Sequence, residues 1–367
     1  MIDASRPDAP APRRVTLSPG ETVADAARKA IASGAEALLR HQSAAESGDA
    51  EPLHQLRVAT RRLRATIELF SSVIYASQLK IFRRDLPWIG SLAGGARECD
   101  VTSALIAARA TKIEPGLKDA IAPMLAALDE GRTSEQARLH ELFASKRYRN
   151  LLAKLAHPAI KKVGADRRLG IVAAQLVRPA SRGAARLGGK LAADAPDPVF
   201  HKLRVRIKRL RYELEMIAPL GAKRHRKTLR RLEELQELLG AYHDITVGSA
   251  WLLSYAETSA APPKTMLAAG ALIQSLSSRE NKLRRQCMRA WRRFERSDAM
   301  HDTLEEIRRA GKLALKPVGS SAPITEKIEY DESDPTNQSR VAQPDPEDPP
   351  HSNHNSMNAH SATESIP

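Results

Sequence analysis

Two segments of this chain place cations at helical spacing on one side of a helix. They are His54-Gln-Leu-Arg-Val-Ala-Thr-Arg-Arg-Leu-Arg64 and His201-Lys-Leu-Arg-Val-Arg-Ile-Lys-Arg-Leu-Arg211. At about 100° per residue, Arg57, Arg61 and Arg64 fall with His54 inside an arc of roughly 80°. Leu56, Leu63, Ile67, Phe70 and Ile74 take the opposite side. The second segment repeats this, with His201, Arg204, Lys208 and Arg211 against Leu203, Leu210, Leu214 and Ile217. Arg62 and Arg209 lie beside the stripes. Four cations along about ten residues span roughly 15 Å. Guanidinium forks match phosphate oxygens and stay charged at any working pH, so the chemistry indicated is polyanion binding. The expectation is that the apolar face buries in a bundle while the stripe points outward. The competing reading is a solvated basic face, which is what most charge runs are. Charge reversal at Arg57 together with Arg204 is expected to abolish anion binding with helicity unchanged.

The two segments belong to a repeat. At a constant offset of 147, seven of eleven positions are identical, and Glu68 meets Glu215. The same offset carries Lys80, Arg83 and Arg84 onto Lys227, Arg230 and Arg231, and Leu92 onto Leu239. It then slips by one, so that Gly94, Arg97, Glu98 and Val101 meet Gly240, His243, Asp244 and Val247. Two copies of one helical unit follow, roughly 18–150 and 165–316, and tandem copies usually pack about a pseudo-twofold axis. The basic triplets and Arg97 are candidates for a wider anion surface. Arg285, Arg289, Arg292, Arg293 and Arg296, on what reads as the last helix, extend it without a first-copy counterpart. His54 and His201 lie in the first turns of their helices, and recurrence favours a shared role: bonding phosphate, or holding the first arginine. No metal site is expected, since no second ligand stands three or four residues along either stripe.

The elements that must carry these stripes are helices. From Ser18 to about Lys316 apolar residues recur at three and four, with almost no alternating β-branched runs, which predicts an all-α body. Ser18-Pro19-Gly20-Glu21 reads as a helix start with a capping box, and that helix is predicted to run to about Ala45. Breaks are predicted at 48–52, Gly94-Gly95, Pro115-Gly116, Gly188-Gly189, Pro196 to Pro198, Pro219-Gly221, Gly240 and Pro262-Pro263. Residues 1–17 and 317–367 carry little to bury and are expected to be disordered.

Charge sharpens the picture. The 367 residues carry a net +15. The last fifty hold nine acids and two bases, a net of −7, so residues 1–317 carry +22. A body that basic is eased by a bound polyanion. The acidic tail reads first as a solubilising segment and second as a competitor for the basic surface. Two cysteines, Cys99 and Cys287, exclude a disulfide framework and point to a reducing compartment. No apolar run reaches the roughly 20 residues of a membrane span. The expectation is a cytoplasmic protein.

The signatures H-Q-L-R-V-A-T-R-R-L-R-A and H-K-L-R-V-R-I-K-R-L-R-Y resemble those of the conserved histidine α-helical domain, the CHAD family. Leu92 to Val101 and Leu235 to Asp244 are similar to its downstream motifs, although Glu98-Cys99-Asp100 replaces the more usual Asp-x-Asp. The resemblance implies two tandem four-helix bundles related by pseudo-twofold symmetry. It also implies a central basic surface that binds inorganic polyphosphate, in a protein associated with polyphosphate granules. Carried over by position, the binding residues are His54, Arg57, Arg61, Arg64, His201, Arg204, Lys208 and Arg211, with Arg62 and Arg209. Lys80, Arg83, Arg84, Arg97, Lys227, Arg230 and Arg231 are secondary. The E-x-E-x-K signature of the triphosphate-tunnel domain often fused to this family is missing, so the chain looks like the stand-alone form.

Three functions fit a basic helical body of this kind. Non-catalytic polyphosphate binding, with no cofactor, leads. Sequence-nonspecific nucleic-acid binding is the alternative, weakened because few of the 14 aromatics lie near the stripes. Phosphate hydrolysis or transfer comes last, because the stripes carry no carboxylate cluster for a metal and the chain has no phosphate-cradling G-x-x-x-x-G-K-[ST] loop.

Overall fold

The computed structural model describes residues 15–46, 50–162, 164–217, 220 and 225–314. Most of the terminal segments expected to be disordered, residues 48–49 of the break predicted at 48–52, and residues 219 and 221 of the one predicted at 219–221, lie outside the described residues, while Ala50 to Pro52 already form the first turn of α2. Among the described residues there are ten α-helices and no strand. They are α1 (Val23–Glu46), α2 (Ala50–Leu69), α3 (Ala76–Ala110), α4 (Ala122–Ala144), α5 (Lys146–Ala156), α6 (Leu169–Gly188), α7 (Asp197–Ile217), α8 (His225–Thr258), α9 (Pro263–Glu295) and α10 (Ala299–Leu313). The all-α expectation holds.

Helices α1 to α5 pack on one another, and so do α6 to α10. The apolar faces read from the sequence supply the core: Leu56, Leu63 and Ile67 of α2, Phe70 just after it, and Leu203, Leu210, Leu214 and Ile217 of α7 are all buried. The two sets meet where α2 faces α7 and where α3 faces α8 and α9. Two ion pairs cross this seam. Arg62 Nη2 lies 3.9 Å from Glu215 Oε2, and Arg209 Nη1 lies 3.5 Å from Glu68 Oε2. At the offset of 147 each pair is the counterpart of the other, which is what a pseudo-twofold axis between α2 and α7 requires. Further along, a Cβ at Gly248 would stand 2.6 Å from Leu105 Cδ2, so α8 meets α3 closely at a residue with no side chain.

Four local expectations are corrected. Half of the capping box forms, with Glu21 Oε1 accepting from the Ser18 amide at 2.6 Å, but the Glu21 amide donates to the Ser18 carbonyl and the helix begins at Val23. The backbone between is engaged elsewhere: Leu169 N donates to Glu21 O and Gly170 N to Pro19 O, tying this turn to the start of α6. Thr22 caps instead, its Oγ1 accepting from the Asp25 amide at 3.1 Å. Gly94-Gly95 does not break α3, nor Gly240 α8. A glycine inside a helix costs only about 1 kcal/mol, which tertiary packing readily offsets. Gly94 is buried, and a Cβ at Gly95 would run into the Glu135 side chain of α4. Nothing in the structure explains Gly240. Finally, the basic run from Arg285 to Arg296 lies on and just after α9, and α10 follows it.

Candidate functional site

The stripes do not point outward. Arg57, Arg61, Arg204 and Lys208 are 2%, 5%, 0% and 1% exposed. The helical-wheel angles were sound, but α2 and α7 are interior helices, each covered by its own bundle on one side and by the seam on the other. Burial is met by polar groups. Arg57 Nη1 donates to Gly90 O at 3.4 Å, and Arg61 Nε donates to Arg57 O at 3.3 Å. Asp244 of α8 stands close to Arg204 and Arg97; burial pushes its carboxyl up to about 7 while those two cations pull it down. Charge reversal at Arg57 and Arg204 would therefore bury two carboxylates and test folding rather than binding.

Burial keeps two of the histidines, His54 and His243, neutral at physiological pH. Burial, helped by Arg61, lowers His54 to about 4. His201 Nδ1 lies 3.4 Å from His243 Nδ1, and His243 is strongly lowered by burial and by Arg204. One ring of this pair donates to the other, so both cannot be protonated together.

Beside the seam a cleft of about 870 Å³ opens between α2, α3, α6 and α7. Its wall carries eight cationic side chains, Arg61, Arg64, Arg83, Arg186, Lys190, Lys202, Arg206 and Arg209, against a single carboxylate, Glu68. Glu68 accepts two hydrogen bonds from Arg83, at 2.7 and 2.9 Å. Burial alone would raise it, but Arg83, Arg209 and Arg206 hold it below the usual carboxylate range. Arg209 is further committed to the buried Glu213, 2.6 Å away. Arg186, Lys190, Lys202 and Arg206 are exposed and make no ion pair within 4.0 Å among the described residues. Their charge is available to a ligand.

Of the residues read from sequence, the cleft brings together Arg61, Arg64, Arg83, His201 and Arg209. His54, Arg57, Arg62, Arg204, Lys208 and Arg211 do not line it. Arg84 turns away to Asp85, which it shares with Arg147. Arg97 pairs with Asp100 at 3.7 Å. Lys80, Lys227, Arg230 and Arg231 do not line it. The sequence reading missed Arg186, Lys190, Lys202 and Arg206. A signal for the last two was present: Lys202, Arg206 and Arg209 stand at i, i+4 and i+7, a second stripe on α7. It was passed over because the first copy does not share it, having Gln55, Ala59 and Arg62 there.

No group of three or more histidine, cysteine, aspartate or glutamate side chains able to hold a metal occurs among the described residues. No helix among them is long and apolar enough to cross a membrane. Comparison with known families decides the relationship: the model of the CHAD domain matches residues 29–253, more than half of the chain. The chain belongs to the CHAD family. The signatures at His54 and His201 both fall inside the matched span. No curated protein matches this CHAD chain. Among solved structures it is similar to the CHAD domain from the plant Ricinus communis, at 23% identity and a TM-score of 0.63, covering 78% of this chain and 96% of that one. It is also similar to PptA from Streptomyces chartreusis, at 18% identity and a TM-score of 0.62, covering 74% of this chain and all of that one. At these identities the two structures speak for the fold.

Proposed function

We propose that this CHAD protein binds inorganic polyphosphate in the cleft between α2, α3, α6 and α7, without turning it over. The observation that carries this is the charge balance of the cleft, eight cations to one carboxylate, with four of the cations exposed and unspent. Family membership supports polyphosphate as the polyanion. A flexible chain with about one charge per phosphate lies along several cations at once, and linked modest contacts give high affinity. Arg61, Arg64, His201 and Arg209 form the wall nearest the seam, and the four unspent cations form the open side. Catalysis is not part of the proposal: the one carboxylate in the cleft is held by arginines and offers no metal site. Granule association in the cell follows from the same binding. The test is a titration with polyphosphate against single-stranded DNA of matched charge. Displacement of bound DNA by polyphosphate supports the proposal, and failure to displace it would favour nucleic acid as the ligand. Release of free phosphate with added Mg²⁺ would overturn the non-catalytic reading.

A further inference from the structure

The repeat suggests two equivalent faces, but among the described residues the two differ. In the first bundle α1 lies tightly on α2: Ala59 is 6% exposed, and a Cβ at Gly34 would stand 2.7 Å from Leu63 Cδ1. In the second bundle the residue matching Ala59 is Arg206, which is exposed. Its side chain runs alongside α6, with Cδ 3.7 Å from the position of a Cβ on Gly183. An arginine between two helices holds them apart where an alanine lets them close. One position along the same face, Gln55 of the first copy is matched by Lys202 of the second.

We propose that the duplication has diverged into one ligand-binding face and one structural face. Lys202 and Arg206 convert the groove between α6 and α7 into the polyanion site, and the matching groove between α1 and α2 binds nothing. This rests on the polyphosphate reading and narrows it to one side of the molecule and to residues that the shared signatures do not contain.

The experiment compares the parent with two doubly neutralised variants that remove equal charge from exposed positions. Lys202→Gln with Arg206→Ala restores the first-copy residues on the open face. Lys227→Gln with Arg230→Gln removes two exposed cations of α8 that lie outside the cleft and match Lys80 and Arg83 at the offset of 147. Binding of short-chain polyphosphate is followed by calorimetry at about 0.1 M salt, with circular dichroism as the check on folding. Loss of two phosphate contacts weakens binding by about 10- to 30-fold in the first variant. The second is expected to change affinity by no more than the small effect of net charge. Equal losses in the two variants, or a larger loss in the second, would overturn the one-face proposal. A parent that fails to bind polyphosphate would instead sink the functional reading, so the two failures are distinct.

Discussion

Ionic strength is the sharpest probe of the cleft, because the structure fixes how many charges it can contribute. Eight cations line it; Arg83 and Arg209 pair with Glu68, and four of the other six are exposed and without an ion pair, which sets the contacts with phosphate oxygens at four to six. By analogy with single-stranded nucleic acid, each phosphate neutralised contributes about 0.7 to the slope of log affinity against log salt. Four to six contacts give a slope between roughly −3 and −4. Raising salt tenfold therefore weakens binding by about a thousand- to ten-thousandfold. The assay is fluorescence anisotropy of end-labelled polyphosphate across a KCl series. The Lys202→Gln, Arg206→Ala variant is expected to flatten the slope by about 1.4, which assigns the lost contacts to the cleft rather than to overall charge. A parent slope shallower than −1, or a variant slope equal to the parent's, would refute the reasoning.

The remaining predictions concern the scaffold. Arg209→Met leaves Glu213 buried without its ion pair, and burial already raises that carboxyl to about 7. A raised folded pKa means stability present in acid and lost as pH rises through it, so the variant's deficit should grow above pH 7 by up to about 1.4 kcal/mol per pH unit; urea unfolding at several pH values checks this, and Glu213→Gln should remove the dependence. Asp85 has the opposite sign: burial would raise it, but hydrogen bonds from Arg84 and Arg147 hold it low. The stability gap between the parent and Asp85→Asn should be full above about pH 5 and close as pH falls below about 4. Gly311→Ala would place a Cβ against the Gly170 backbone, which cannot rotate away, so α10 must shift from α6. A loss of about 1–3 kcal/mol in denaturant unfolding is expected. His54 at about 4 is neutral across the physiological range, so His54→Gln should leave the pH profile of binding between 6 and 8 unchanged.

The helical class, the duplication and the apolar faces of α2 and α7 were legible because each is a periodicity along one helix. What escaped was set by partners in space. The stripe angles placed Arg57 and Arg204 correctly on their helices, but whether that side meets water depends on the second bundle, which no wheel shows. Gly94-Gly95 reads as a break until α4 supplies Glu135 to sit over it. Lys202 and Arg206 were hidden for another reason: the reading weighted what the copies share, and the cleft is built from where they differ.

The crossed pairs Arg62 to Glu215 and Arg209 to Glu68 bear on how such a chain came to exist. In a single-copy ancestor, the same arginine and glutamate would have met across two separate molecules, each giving and receiving one tie, as an isologous dimer demands. Within one chain the two ties lie inside a single molecule, so neither half has to match the other. A lysine and an arginine can then stand on one half where the other carries Gln55 and Ala59.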